Sequence, residues 1–468
     1  MKFPATATRR SNGNCALAKG LLAAVAMTIG LAGAYGQETA LVFEGVNVVP
    51  MDEERVHENH TVVIERGRIV ELAPAGEANV PEDANVVEAT GQYLMPGLAE
   101  MHAHMPGGGP ENDQYREDVA FLYLANGVTL ARSMLGAPVH LAQREQLASG
   151  AMVGPRLVSA GPGFSGGVET PAEAIQQVRE QAEAGYDLLK IFWGLDRETF
   201  DAMVKAAKAN NMEISGHVPA AAGVPHALQY YTTIDHFDAY MPTLVDPEET
   251  ADVNGGFFGY RLAPYAKQDR IEAIAKHTRD AGVWNVPTET IMYSAFEVDL
   301  DTVADERPEF QYMPPDVVEG WFDWVTNFRA GEDYDQEAGD AFLEVRLDLI
   351  ATLHDVGAGL LLGSDAPQWF NVPGFSVHRE MAVMEDAGLT PYEVLKTGTV
   401  NPAKYLGEED VFGRVAKGMK ADLVLVNGNP LEDLSNAHDI AGVVRHGRWH
   451  SRADLDARLE EIAERYAN

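Results

Sequence analysis

Residues 94–105 read Leu94-Met95-Pro96-Gly97-Leu98-Ala99-Glu100-Met101-His102-Ala103-His104-Met105. The stretch begins as an apolar run and ends in two imidazoles one residue apart. On an extended strand, residues two apart point to the same side, so His102 and His104 can reach one point in space. A shared divalent metal needs that arrangement, and neutral imidazole is a good ligand for zinc and similar borderline ions. The same apolar lead-in suits an ordinary buried strand. The rest of the chain has to decide between the two.

Outward from this stretch, apolar strand-like runs alternate with helical patterns. The runs are 94–102, 128–134, 156–160, 188–192, 213–218, 233–237, 283–287 and 359–363. Helix-period segments stand between them, for example 171–185, 197–210 and 270–282. Eight strands in a β-then-α rhythm predict an α/β chain whose 94–408 segment forms a (β/α)8 TIM-type barrel. A doubly wound open sheet is the alternative. Before the barrel, residues 37–93 alternate as short strands, with a hairpin turn at Glu65-Arg66-Gly67-Arg68. Similar strands recur at 421–426 and 443–447, followed by an amphipathic helix over 452–466. Together, 37–93 and 409–468 predict a small discontinuous β-sandwich domain built from both ends of the chain.

The first 36 residues differ in kind. Arg9, Arg10 and Lys19 precede an apolar run over 21–34, and Ala34-Tyr35-Gly36 offers a small-residue cleavage site. This is the layout of a signal peptide, and it predicts a periplasmic or secreted protein. An uncleaved anchor is the alternative, although the run is short for a membrane span. Arg9-Arg10 lacks the apolar residue expected two positions on in a twin-arginine signal. The one cysteine, Cys15, lies in this leader, so the mature chain has no disulfide and no thiol nucleophile. A net charge of −36 repels nucleic acid and anionic lipid. The expected partner is a small-molecule substrate, with no nucleic acid and no membrane after leader cleavage; a homo-oligomer stays open.

In barrels of this type the site forms at the C-terminal ends of the strands. The first run ends with His102 and His104, the fifth with His217, the sixth with His236 and the eighth with Asp365, while Lys190 interrupts the apolar fourth. Any one of these suits a satisfied core residue; metal-competent groups at strand after strand do not suit chance.

With these residues in view, the chain resembles the metal-dependent amidohydrolase superfamily, in its imidazolonepropionase-like and prolidase-like branch. The resemblance rests on Pro96-Gly97-Leu98 before His-x-His, Asn126-Gly127-Val128-Thr129, Gly154-Pro155-Arg156 and Gly185-Tyr186-Asp187-Leu188-Leu189-Lys190. It continues through the His217 and His236 strands, Gly363-Ser364-Asp365, Thr399-Val400-Asn401-Pro402-Ala403-Lys404 and Gly418-Met419-Lys420-Ala421-Asp422-Leu423. It implies a centre of two divalent ions, zinc first, with manganese, cobalt and iron open. His102 and His104 would hold the more buried ion and His217 and His236 the second. Lys190, carboxylated on its ε-nitrogen, would bridge them. Asp365 would ligate the first ion and carry the proton. The implied reaction is cleavage of an amide C–N bond in an apolar N-acyl or peptide-like substrate by metal-activated hydroxide. Hydrolysis of a cyclic amide, ester or lactone with the same ions is the neighbouring alternative. A non-catalytic scaffold is the remote one, set back because all six ligand positions are filled.

The chain also departs from its relatives. Prolidase-like members carry a histidine after the third strand, where this chain reads Gly161-Pro162-Gly163-Phe164-Ser165-Gly166-Gly167-Val168. Arg132 and Tyr240 are candidate substrate contacts, or supports behind the ligands. His140, His226 and His378 are expected at the surface or in such supporting positions. Two insertions, 239–268 and 291–345, leave the catalytic face as lids or as contacts between copies. They would bring Phe257, Phe258, Tyr260, Trp321 and Trp324 toward the pocket, predicting a preference for a bulky apolar group on the substrate.

Overall fold

The computed structural model describes residues 39–165, 167–168 and 170–467. The expected signal peptide with Cys15, and Gly166 of the glycine-rich stretch, lie outside the described residues. Sixteen strands follow in order: β1 Leu41–Val48, β2 His57–Glu65, β3 Arg68–Pro74, β4 Asn85–Glu88, β5 Tyr93–Pro96, β6 Leu98–Ala103, β7 Val128–Ser133, β8 Arg156–Ser159, β9 Leu188–Ile191, β10 Glu213–Gly216, β11 Thr233–Asp235, β12 Trp284–Val286, β13 Gly359–Leu360, β14 Leu423–Val426, β15 Ile440–Arg445 and β16 Arg448–Ser451.

Both ends of the chain build one mixed sheet in the order β16-β15-β14-β5-β1-β2-β3, with β4 beside β1. The join is made by β5, which runs parallel to β1 (Val48 opposite Leu94) and antiparallel to β14 (Leu425 opposite Leu94). Pleating sends alternate residues of β14 to opposite sides. Leu423 and Leu425 enter the sheet's own core with Phe43, Val62 and Leu94, while Val424 and Val426 enter the large core of the helices and parallel strands.

The eight runs expected from the sequence form two parallel arcs, β6-β7-β8 and β9-β10-β11-β12-β13, with one correction: the first run breaks at Gly97, and its residues 94–96 belong to β5 of the mixed sheet. Bridges between Ala160 and Leu188 and between Phe164 and Ile191 link β8 to β9. On the far side the chain after β13 returns to β6. Met101 N–H donates to the Leu362 carbonyl, Asp365 N–H to that of His102 and His104 N–H to that of Ala366, each at 2.8 Å. Gly363 allows this approach, because a Cβ there would stand 2.8 Å from the His102 nitrogen. Helices alternate with the strands, and their ends follow local chemistry. Pro171–Ala184 begins at Thr170, whose hydroxyl and Glu173 form a reciprocal cap, and stops at Gly185 in a left-handed turn. Among the described residues no helix is long and apolar enough to cross a membrane.

Candidate metal centre

The six residues singled out from the sequence converge at the C-terminal ends of the parallel strands. His102, His104 and Asp365 offer ligand atoms that all lie within 4.8 Å of one another. His104 Nε2 is 2.6 Å and His102 Nε2 3.6 Å from Asp365 Oδ1. The His236 ring centre is 4.4 Å from that of His102 and 4.7 Å from that of His217. Lys190 Nζ reaches within 3.3 Å of His102 Nε2. Between β9 and β10, Gly216 lets the strands close up, since a Cβ there would meet the Lys190 Cδ at 2.7 Å.

Carboxylates that the sequence reading missed stand behind these groups. Glu100 lies on the same face of β6 as His102 and His104. Its oxygens accept the N–H groups of His102 and Ser364 and the Ser364 hydroxyl, tying β6 to the end of β13. Burial pushes its carboxyl up to about 8. Asp235 puts Oδ2 3.2 Å from His102 Nδ1 and 3.7 Å from Lys190 Nζ, and Oδ1 3.3 Å from an Arg132 nitrogen. Burial raises its carboxyl, but Arg132, Lys190 and His236 outweigh that and hold it below the ordinary range. Asp238 Oδ2 accepts the Trp193 indole N–H and the Val218 N–H and stands 3.4 Å from His217 Nδ1. His236 Nδ1 pairs with the Thr288 hydroxyl at 2.7 Å. The available signal was an acid beside a strand-end histidine: Glu100 two before His102, Asp235 and Asp238 around His236.

Burial lowers the imidazoles of His102, His217 and His236, with Lys190 adding to it, which favours the neutral form that metal binding needs. Burial also lowers the Lys190 amine, against Asp235 and Asp365. His236, Thr288 and Asp365 take left-handed φ angles of +62°, +54° and +61°. For residues other than glycine this costs about 1–3 kcal/mol each and recurs at functional sites.

The Nδ1 atoms of His102 and His217 face Asp235 and Asp238 at 3.2 and 3.4 Å. The ligand atoms of His102, His104 and Asp365, gathered within 4.8 Å of one another, fit a divalent metal ion.

Arg132 and Tyr240 do not face open space. Arg132 is fully buried and spends its donors on Met101, Tyr405, Thr233 and Asp235, and the Tyr240 hydroxyl pairs with Thr278 and Asn285. Both belong to the frame. His140, His226 and His378 stand with Pro106, Asp201 and Asn126 respectively, apart from the cluster. The insertions divide their aromatics. Phe258, itself at φ +49°, has its ring 5.9 Å from His217 and 5.5 Å from His236. Half-exposed Trp193 lies 4.1 Å from His217. Phe257 continues this wall to Trp324 and to Trp369, which the sequence reading passed over. Trp321 is instead buried against Phe310 and Phe370, and Tyr260 against Phe296 with its hydroxyl on Asp333. The expectation that these two line the pocket is corrected.

The model of the amidohydrolase family matches residues 93–450. A 5-methylthioadenosine/S-adenosylhomocysteine deaminase from Symbiobacterium thermophilum is 40% identical over 65 residues, 14% of this chain and 15% of that protein. The chain thus matches well under two thirds of that relative's length. Among solved structures, a bottromycin amidohydrolase superposes with a TM-score of 0.70 at 22% identity, covering 91% of this chain and 90% of the other. A Xaa-Pro dipeptidase with methionine bound in its active site gives 0.65 at 18%, covering 88% and 100%. At these identities the likeness to the solved structures is one of fold.

Proposed function

The chain belongs to the amidohydrolase family, hydrolases acting on carbon–nitrogen bonds, and from that premise we propose that it is a binuclear metallohydrolase cleaving the amide bond of an apolar N-acyl or peptide-like compound. The observation that carries this reading is the gathering of four histidines, Lys190 and Asp365, with ligand atoms of His102, His104 and Asp365 within 4.8 Å of one another. In this reading His102, His104 and Asp365 hold one ion, His217 and His236 the second, and carboxylated Lys190 joins them. Zinc suits the nitrogen and oxygen donor set. When bound, such ions polarise a carbonyl and acidify water.

The chain's own residues do the rest. Burial holds the Lys190 amine toward the neutral form, which adds carbon dioxide and releases a proton to become a carbamate. Asp235 and Asp238 orient His102 and His217 by facing their Nδ1 atoms. Asp365 Oδ1 is the atom to take the proton and hand it to the departing nitrogen. Phe258 and Trp193 cover the His217 side, exclude water and favour an apolar group. We read the two arcs, joined at β8–β9 and again at β13–β6, as a closed (β/α)8 barrel, and the eight-stranded sheet as a folded-over sandwich. We also propose export to the periplasm or medium on the strength of the leader; recovery of the uncut chain from the cytoplasm alone would remove that part.

Metal analysis together with a hydrolysis screen over N-acyl amino acids, dipeptides, lactams and esters tests the function. Lys190→Ala should bind fewer than two ions and lose turnover, with partial rescue by short carboxylates that fill the bridging position. Two ions and full activity in that variant would end the binuclear reading.

A further inference from the structure

The opposite rim, at the N-terminal ends of β8 and β9, carries chemistry that the metal centre does not use. Here the β2–β3 hairpin, the helix Pro138–Ser149 and the strands β8 and β15 enclose a cleft of about 610 Å3. Arg66, Arg68, Arg144, Arg156, Lys420 and Arg445 all line it. In a chain with 71 acidic residues against 35 Lys and Arg and a net charge of −36, so many cations in one hollow call for a reason.

Part of the reason is structural. Arg156 pairs with both oxygens of Glu408, Arg445 with Asp422 at 2.9 Å and Arg144 with Asp187 at 2.9 Å. The Arg445 pair lies within the sheet and the Arg144 and Arg156 pairs lie on the barrel side, and together they leave three cations over. Arg68 donates only to the Gly418 carbonyl, and neither Arg66 nor Lys420 has a side-chain hydrogen bond or ion pair among the described residues. The one other carboxylate lining the cleft is Glu145. Lys420 is half-buried, and burial together with Arg156 holds its ammonium below the ordinary range. The lining sets six cations against three carboxylates, Glu145, Asp187 and Asp422, and this excess of positive charge is an arrangement that a bound anion relieves.

We propose that the cleft is a binding site for a small multivalent oxyanion, held by Arg66, Arg68 and Lys420 on the rim opposite the metal centre. Arginine forks and a lysine ammonium are the groups that recognise phosphate and clustered carboxylates. The volume lies within the range of about 300–1,000 Å3 usual for small-molecule sites. Arg66, Arg68 and Lys420 all come from the sheet, so the anion would sit on the sheet's side of the cleft, which Arg144 and Arg156 of the barrel side also line. The site stands whatever the catalytic substrate proves to be.

The test is calorimetric titration of the full, metal-loaded chain with inorganic phosphate and, separately, with citrate, at an ionic strength held constant with chloride. The wild type should show saturable binding of at least one of the two, with a rise in Tm at saturation. Phosphate alone binding points to a phosphoryl ligand, citrate alone to a polycarboxylate. Arg66→Ala, at an exposed position that folding does not need, should weaken binding several-fold. Arg66→Ala with Lys420→Ala should weaken it about tenfold or more. Amide hydrolysis should be unchanged in both. Absence of saturable binding in the wild type overturns the proposal. So does binding undiminished in the variants, which would put the anion at the metal centre.

Discussion

Asp235 holds three groups in one place: the Nδ1 of His102, the Lys190 ammonium and the Arg132 guanidinium. Facing His102, it can fix the tautomer that leaves Nε2 free for a metal. Asp235→Asn keeps the shape and one acceptor for Arg132 but removes the charge. Metal affinity in a chelator competition should fall by about 10–100-fold while the far-ultraviolet dichroism stays that of the wild type. Affinity equal to wild type would show that His102 is oriented by other means. The six candidate ligands stood out in the sequence because histidine, lysine and aspartate are out of place at the ends of apolar strands. Asp235, Glu100 and Asp238 did not, since an acid near a strand has no stated partner until the fold supplies one. For Arg132 the sequence left substrate contact and support behind the ligands both open, and its neighbours Met101, Tyr405, Thr233 and Asp235 favour the second.

The strand-to-helix connections decide what reaches the centre. Alternation and length disclosed the eight strands, and the glycine-rich, aromatic insertions left a cover and a contact between copies both open. Which aromatic faces inward depends on turns such as that at Phe258 and Gly259, which period does not encode. With Phe258 and Trp193 on the wall and Trp321 in the core, Phe258→Ala and Trp193→Ala should each lower kcat/KM for a bulky N-acyl substrate about tenfold, the worth of one well-buried ring. Values for a small Xaa-Pro dipeptide should stay near wild type. Equal losses on both substrates would mean the rings only support the histidines. A second element-scale effect concerns the helix Glu289–Phe296, whose first N–H groups donate to Glu380. Burial, reinforced by the charge of Glu289, pushes the Glu380 carboxyl up to about 8 from an ordinary 4.5. The folded state therefore takes up a proton that the unfolded chain lacks, and this contribution is whole below 4.5 and lost as pH rises through about 8. Glu380→Gln cannot titrate, so the Tm of the wild type relative to the variant should fall across that window. A constant difference would show that Glu380 is ionised throughout.

At the scale of the molecule, the sequence indicated that both chain ends share one β unit, because strand patterns recur on either side of the α/β stretch. It did not show that β5 is the hinge of that unit, with β1 on one edge and β14 on the other. Four residues of extended chain look alike whether they pair with near or distant partners. A chain ending at residue 421 would lose Leu423 and Leu425 from one core and Val424 and Val426 from the other. It should give no cooperative unfolding transition in a thermal scan, and a sharp transition near the wild-type Tm would show that the cores stand without β14. The sheet also sets a timetable. A ribosome delivers β1 to β5 first and β14 to β16 last, so the open edge of β5 waits through nearly the whole of translation. The nascent chain cannot seal either core until its final strands emerge, and the exposure of that edge to holdases and proteases lasts as long as synthesis does.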